Sequence, residues 1–214
     1  MSDLRILIAD DHELMRRGVR SLLEAEVGWR VVGEAANGQE LVEKTETLRP
    51  DVVVLDISMP RLNGLEAAHR IKKILPEVKI LILTMHDSEQ MVRSVLDAGA
   101  RGYIAKSDAA RDLVTAIEAL DRNRTFFPPK VDQLVLDSFL RNESKKTLQD
   151  PLTSRQKEIV QLLTEGKTSK EVATLLNLSI KTIETHRANI MKRLHCHCFS
   201  DLVFYAIRNN IVHL

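Results

Sequence analysis

Only two cysteines occur in the 214 residues, Cys196 and Cys198, with one residue between them. They are too few and too close to form a disulfide framework, which excludes the stapled secreted class and fits a reducing compartment. No apolar run approaches the roughly 20 residues of a membrane span. The start, Met1-Ser2-Asp3-Leu4-Arg5, runs straight into an apolar segment with no signal-peptide pattern, so the expectation is a cytoplasmic protein without membrane contact. Internal repeats and low-complexity tracts are missing too. An overall excess of one charge is also lacking, since 31 Lys and Arg meet 30 Asp and Glu. That balance hides an asymmetry. Residues 151–214 hold 9 basic against 5 acidic side chains, a net of +4, and residues 1–150 hold 22 against 25, a net of −3. The basic end is the half suited to nucleic acid.

What is present is an alternation. Five short apolar runs, about Arg5–Ala9, Arg30–Glu34, Asp51–Leu55, Lys79–Leu83 and Gly102–Ala105, are each followed by a segment with apolar residues three or four apart. Strand and helix in turn predict a parallel sheet with helices on both faces, the doubly wound α/β class. Asn37-Gly38, Met59-Pro60, Asn63-Gly64 and Ala98-Gly99 supply turns between them.

The strand ends carry the chemistry. Asp10 and Asp11 close the first run and Asp56 closes the third. Carboxylates crowded at the C-terminal edge of a parallel sheet repel one another unless a divalent cation holds them, which makes a Mg²⁺ site the expectation. Thr84 and Lys106 end two later runs at the same edge. A lone carboxylate at a strand end is ordinarily a loop cap or a solvated charge; five polar residues placed together are not.

From Pro151 the pattern changes to four short helices. Thr153 with Gln156 three residues on reads as an N-terminal cap, and Thr168 or Ser169 caps a second helix. Asn177-Leu178-Ser179 is a tight turn into a third helix, about Ile180–Leu194, and the last spans about Ser200–Asn209. Two short helices joined by so brief a turn, the second rich in Lys and Arg, match helix-turn-helix geometry. On the third helix Glu184, Thr185, Arg187 and Ala188 are placed for base edges, and Lys181, Thr182 and Lys192 for phosphates. Val203 and Ile207 on the last helix are placed to meet a second copy.

These residues together resemble a known family. The N-terminal part is similar to the flavodoxin-like receiver domain of two-component response regulators. The segment from Leu152 to Leu194 resembles the LuxR-type helix-turn-helix. The pair defines the NarL/FixJ type. The organisation implied is a receiver over 1–124, a partly helical linker over 125–147, and a smaller all-α DNA-binding domain over 148–214. The resemblance implies that Asp56 accepts a phosphoryl group from a sensor histidine kinase. It further implies Mg²⁺ on Asp11, Asp56 and the Ser58 carbonyl, with Asp10 acting through water. Lys106 pairs with a phosphoryl oxygen, Thr84 bonds another, and Tyr103 follows as a rotating switch. The implied partners are operator DNA and a second copy on activation, with RNA polymerase open as a further one. Ser107 stands where receivers commonly have proline after the lysine, so Lys106 is expected to reach the site by its own loop path. Ser58 and His86 flank the expected phosphoryl position.

Two other classes compete. A haloacid dehalogenase-like phosphatase also uses an aspartyl nucleophile at a strand end, but needs a second aspartate two residues later, where this chain has Ser58. A receiver serving only as a dimerisation module typically lacks one of the acidic residues that this chain retains. An enzyme is therefore not expected. The run His195-Cys196-His197-Cys198 suggests zinc, yet adjacent residues do not readily converge on one tetrahedral ion.

Overall fold

Continuous apolar runs bounded by turn residues become strands here because both of their faces are covered. The computed structural model describes residues 3–85, 89–127, 151–196, 198–209, 211 and 212. The chain divides into two compact units, Met1–Ser144 and Lys145–Leu214.

In the first unit five strands, β1 (Leu4–Ala9), β2 (Trp29–Ala35), β3 (Val52–Asp56), β4 (Lys79–Thr84) and β5 (Gly102–Ala105), form one sheet in the order β2-β1-β3-β4-β5. Every pairing is parallel. Four helices connect them, α1 (Glu13–Glu24), α2 (Gly38–Leu48), α3 (Gly64–Ile74) and α4 (Glu89–Asp97), and α5 (Ala109–Asp121) follows β5. Period-two alternation sorts each strand into two cores. Leu7, Val53, Leu55, Ile80, Ile82 and Tyr103 pack with α2, α3 and α4. Ile6, Ile8, Val52, Val54, Leu81 and Ile104 pack with α1 and α5. Burial on both faces is why these strands read as unbroken apolar runs rather than alternating ones.

The order reverses between β1 and β3, and that crevice lies at the strand ends bearing Asp10 and Asp56. A glycine fixes the loop below it. A Cβ on Gly64 would sit 2.1 Å from the Asp56 carbonyl oxygen, so only glycine lets α3 begin against the end of β3.

Past α5 the chain does not leave the sheet at once. The Phe126 N–H donates to the Arg101 carbonyl at 3.0 Å, and the Tyr103 N–H donates to the Phe126 carbonyl at 2.9 Å. Phe126 and Phe127 pack against opposite cores. Backbone pairing ties Phe126 to β5, and packing ties Phe127 to the same unit, so this unit continues past residue 124. From residue 128 on, the partly helical linker expected over 125–147 lies outside the described residues, as does His86.

The second unit holds α6 (Ser154–Thr164), α7 (Ser169–Leu175), α8 (Ile180–Arg193) and α9 (Phe199–Arg208) around its own apolar core. Thr153 with Gln156 and Thr168 with Glu171 form capping boxes. Asn177 adopts φ 54° in the α7–α8 turn, a left-handed conformation that asparagine tolerates. Arg155 holds the turn from α6, donating to the Leu176 carbonyl at 2.7 Å while pairing with Glu158 at 2.7 Å. No helix among the described residues is long and apolar enough to cross a membrane.

Candidate functional site

Three consecutive residues after β1 and one at the end of β3 meet at the crevice. Ligand atoms of Asp10, Asp11, His12 and Asp56 lie within 4.8 Å of one another. Asp10 and Asp56 are buried at 2% and 1% exposure, so their charges cannot be left to solvent. Lys106 supplies the compensation. Its Nζ stands 2.7 Å from Asp10 Oδ2 and 2.8 Å from Asp56 Oδ2, donating a hydrogen bond to the latter. The Asp10 contact is an ion pair close in distance but not directed as a hydrogen bond, and Asp10 Oδ2 has no other partner.

Electrostatics follow from this burial. Desolvation pushes the Asp56 carboxyl above its ordinary range and Asp10 adds to the rise, while Lys106 and the Ser58 N–H oppose it. Burial also works against the Lys106 charge, but Asp10 and Asp56 outweigh it and raise its pKa. Three acids and one buried cation leave an excess of negative charge. That donor set, all oxygen apart from one imidazole, fits a hard divalent cation, with Asp10 Oδ2 buried beside it.

Thr84, fully buried, pairs in register with Ala105, so Lys106 follows one residue beyond at the same edge. Lys106 begins a short 3₁₀ turn, Lys106–Asp108, with trans peptides throughout the described residues. This is the loop path that places the lysine without a proline. Tyr103 is fully buried in the core beside α4. Ser58, half-buried, follows Asp56 by two residues.

Two residues not singled out from sequence also stand here. The His12 N–H donates to Asp10 Oδ1 at 2.8 Å, and its Nδ1 lies 2.8 Å from Asp11 Oδ1 and 3.2 Å from Asp10 Oδ1. Arg16, one turn into α1, donates from Nη1 to the Asp10 carbonyl at 2.7 Å and is braced through Nε by Glu34 at 3.4 Å. The adjacency of His12 to the acidic pair was the only signal in the sequence. Nothing there linked Arg16 to β2.

In the second unit α8 turns Ile183 and Ile190 inward. Lys181, Glu184, Thr185, Ala188 and Lys192 share its exposed side. Thr182 and Arg187 are half-buried at the margins of that side. The Thr182 hydroxyl bonds the Ser179 hydroxyl at 2.8 Å, and the Thr185 hydroxyl donates to the Lys181 carbonyl at 2.8 Å. Asn189 and Arg193 are exposed on the same helix. On α9, Leu202 and Ala206 are core while Val203 and Ile207 are half-buried. Phe204 is 70% exposed beside them. Among the described residues the only metal-compatible cluster is the one at the sheet edge, so Cys196 and Cys198 join none.

A doubly wound sheet with an acidic crevice at its switch point, followed by a compact helix-turn-helix unit, defines a two-domain protein that joins a cation-binding α/β domain to a DNA-binding one. Residues 6–118 match the family model of response regulator receiver domains, and residues 150–206 match that of the LuxR family of bacterial regulatory proteins. The chain belongs to the two-component response regulators with a LuxR-type DNA-binding domain. It is 36% identical over 211 residues to the response regulator VraR of Staphylococcus aureus, covering 98% of this chain and 99% of that one. Among solved structures, RcsB of Salmonella typhimurium superposes with a TM-score of 0.64 at 29% identity, covering 98% and 99% of the two chains. An RcsB–DNA complex gives 0.60 at 29% identity over 97% and 99%. In this family phosphorylation of the receiver controls DNA binding by the second domain.

Proposed function

We propose that Asp56 is the phosphoryl acceptor of this chain, and that its modification by a sensor histidine kinase in the cytoplasm governs binding of a dimer to operator DNA. The observation that supports this reading is Lys106 bridging the buried Asp10 and Asp56 at 2.7 and 2.8 Å. Phosphoryl transfer asks little of a protein beyond an aligned nucleophile and positive charge around the equatorial oxygens. An Asp56 oxygen attacks phosphorus as the bond to the donor histidine nitrogen breaks, leaving an acyl phosphate. Lys106 turns from Asp56 to a phosphoryl oxygen as a point charge. Asp11, Asp56 and the Ser58 carbonyl would hold Mg²⁺, with Asp10 acting through water, and the bound ion would supply positive charge beside the oxygens of the transferring group. Thr84 bonds another phosphoryl oxygen, and Tyr103 turns within the core to follow it. One added charge thereby becomes a changed surface.

On DNA, Glu184, Thr185, Arg187 and Ala188 read bases, with Lys181, Thr182 and Lys192 on phosphates. Exposure supports Glu184, Thr185 and Ala188 most directly, and assigns Arg187 to the edge of the face. A single small module contacts little DNA, so two copies bind together through Val203 and Ile207, a strip that the exposed Phe204 extends. RNA polymerase is a further partner of the bound dimer.

Acetyl phosphate with Mg²⁺ tests the acceptor. The native chain is expected to gain the mass of one phosphoryl group and Asp56→Asn none. A full gain in the variant moves the acceptor elsewhere. Continuous turnover of added phosphomonoesters would support a phosphatase instead.

A further inference from the structure

Both cysteines of the chain fall in the short connection between α8 and α9, and neither phosphoryl transfer nor DNA contact uses them. Each belongs to a helix end. His195 turns left-handed at φ 54°, and the Cys196 N–H then donates to the Met191 carbonyl at 2.9 Å, closing α8 in a Schellman-type stop. Cys198, extended at φ −139° and ψ 170°, starts α9 as its N-terminal cap. Its N–H donates to Asp201 Oδ2 at 3.0 Å, and its thiol completes a capping box with the Asp201 N–H. Caps favour the oxygen acceptors of Ser, Thr, Asn and Asp, and a thiol accepts weakly. Capping therefore explains the position but not the sulfur.

Chain geometry brings a second thiol within reach. Two residues of backbone span at most about 7 Å between Cα atoms, and a disulfide bridges Cα atoms about 4.4–6.8 Å apart. Cys198 is exposed and open to a small oxidant, whereas Cys196 is half-buried with its thiol 3.9 Å from the Leu194 carbonyl. Burial, Asp201 and the Cys198 sulfur hold the Cys196 thiol above its ordinary range, so charge on one sulfur is felt at the other.

We propose that Cys196 and Cys198 are a reversible dithiol switch, oxidised by hydroperoxides, that releases the cap of α9 and so weakens DNA binding by the dimer. The inference rests on the reading of α8 as the DNA-contacting helix and α9 as the dimer helix. The Cys198 sulfur attacks the terminal peroxide oxygen, the O–O bond breaks, and the thiol proton goes to the departing alkoxide or hydroxide, leaving a sulfenic acid. The Cys196 sulfur then attacks the Cys198 sulfur, and hydroxide leaves with the Cys196 proton as water. Two electrons pass from the two sulfurs to the peroxide. An exposed disulfide of this kind is readily reduced, which suits a transient, redox-sensing bond in a reducing compartment. Bonding draws the Cys198 sulfur from the Asp201 N–H toward the end of α8 and frees the first turn of α9, ahead of Val203.

The test treats the full chain with hydrogen peroxide, follows the cysteines by alkylation and mass spectrometry, and measures affinity for a DNA fragment selected by the reduced protein. The native peptide carrying both cysteines should lose two hydrogen masses within a single copy. Affinity should fall at least about fivefold, the equivalent of one lost cap, and dithiothreitol should restore it. Cys198→Ser should keep its affinity in peroxide, since serine serves the cap, and Cys196→Ser should accumulate a Cys198 sulfenic acid that dimedone captures. Oxygen added to the native cysteines without loss of both thiols, or a bond between two copies, overturns the dithiol. An internal bond that leaves affinity unchanged overturns the control of DNA binding. If the reduced chain binds no fragment even with beryllofluoride and Mg²⁺, the reading of α8 and α9 itself falls and takes this inference with it.

Discussion

Replacing Lys106 by methionine separates what this residue does for the fold from what it does for phosphoryl transfer. Its ammonium is the cation held against two carboxylates that are almost wholly buried, at 2.7 and 2.8 Å. Removing one partner of a buried ion pair costs about 3–5 kcal/mol, because the charge left behind is neither solvated nor compensated. The carboxylates limit that loss by taking up a proton. A group whose folded pKa stands above its unfolded value stabilises the fold at low pH and loses that contribution as pH rises through the folded value. Asp56 is already raised by burial with Lys106 opposing, so without Lys106 it rises further. In metal-free buffer the variant should therefore lose on the order of 3 kcal/mol near neutral pH, and less as pH falls, with a slope approaching about 1.4 kcal/mol per pH unit for one proton. Urea unfolding followed by the single tryptophan, Trp29 on β2, reports this unit alone. Saturating Mg²⁺ should recover part of the loss by replacing the missing charge. A loss below about 0.5 kcal/mol, the range of ordinary surface substitutions, would refute the claim that Lys106 neutralises the site. So would a loss independent of pH.

Other consequences can be checked separately. Arg16→Met removes the charged donor on the Asp10 carbonyl, and the Mg²⁺ concentration for half-maximal phosphorylation should rise on the order of tenfold, with Arg16→Lys recovering part; an unchanged requirement removes Arg16 from the site's supporting shell. Lys181→Ala with Lys192→Ala should weaken binding to all DNA sequences and reduce the slope of log affinity against log salt by about 2, measured by fluorescence anisotropy. Thr185→Ala should instead change base preference, and an effect equal on every sequence would refute readout by that residue. Val203→Asp should abolish dimer formation induced by beryllofluoride in sedimentation experiments while Asp56 still accepts phosphate; a persisting dimer places the interface elsewhere.

How far the sequence could be read depended on the range of the interactions. The strands were legible because burial on both faces leaves a continuous apolar run, and their observed limits shift by a residue or so, as with Leu4–Ala9 and Trp29–Ala35. The Thr153 and Thr168 caps were legible because a capping box closes within four residues. Asp10, Asp11, Asp56, Thr84 and Lys106 were legible as strand endings, since a parallel sheet brings such endings to one edge. Arg16 was not, because its meaning depends on Glu34, 18 residues away on another strand. The inward side of α8 was legible from Ile183 and Ile190, but how far Arg187 is covered at the margin of that side depends on the neighbouring helices. Phe126 and Phe127 look like a terminating signal before two prolines, and nothing local shows that Phe126 pairs with β5.

That pairing bears on solubility. In the order β2-β1-β3-β4-β5, β5 is an outer strand, and an outer strand with open N–H and carbonyl groups is a template for another chain. Phe126 occupies the Tyr103 N–H and the Arg101 carbonyl, and its neighbour Phe127 covers apolar surface on the opposite face of the sheet. The outgoing chain is thus a guard rail on the margin where self-association would begin. A fragment ended at 121 should keep its phosphoryl chemistry yet precipitate or pair strand to strand, while one carried through 127 stays monomeric before activation.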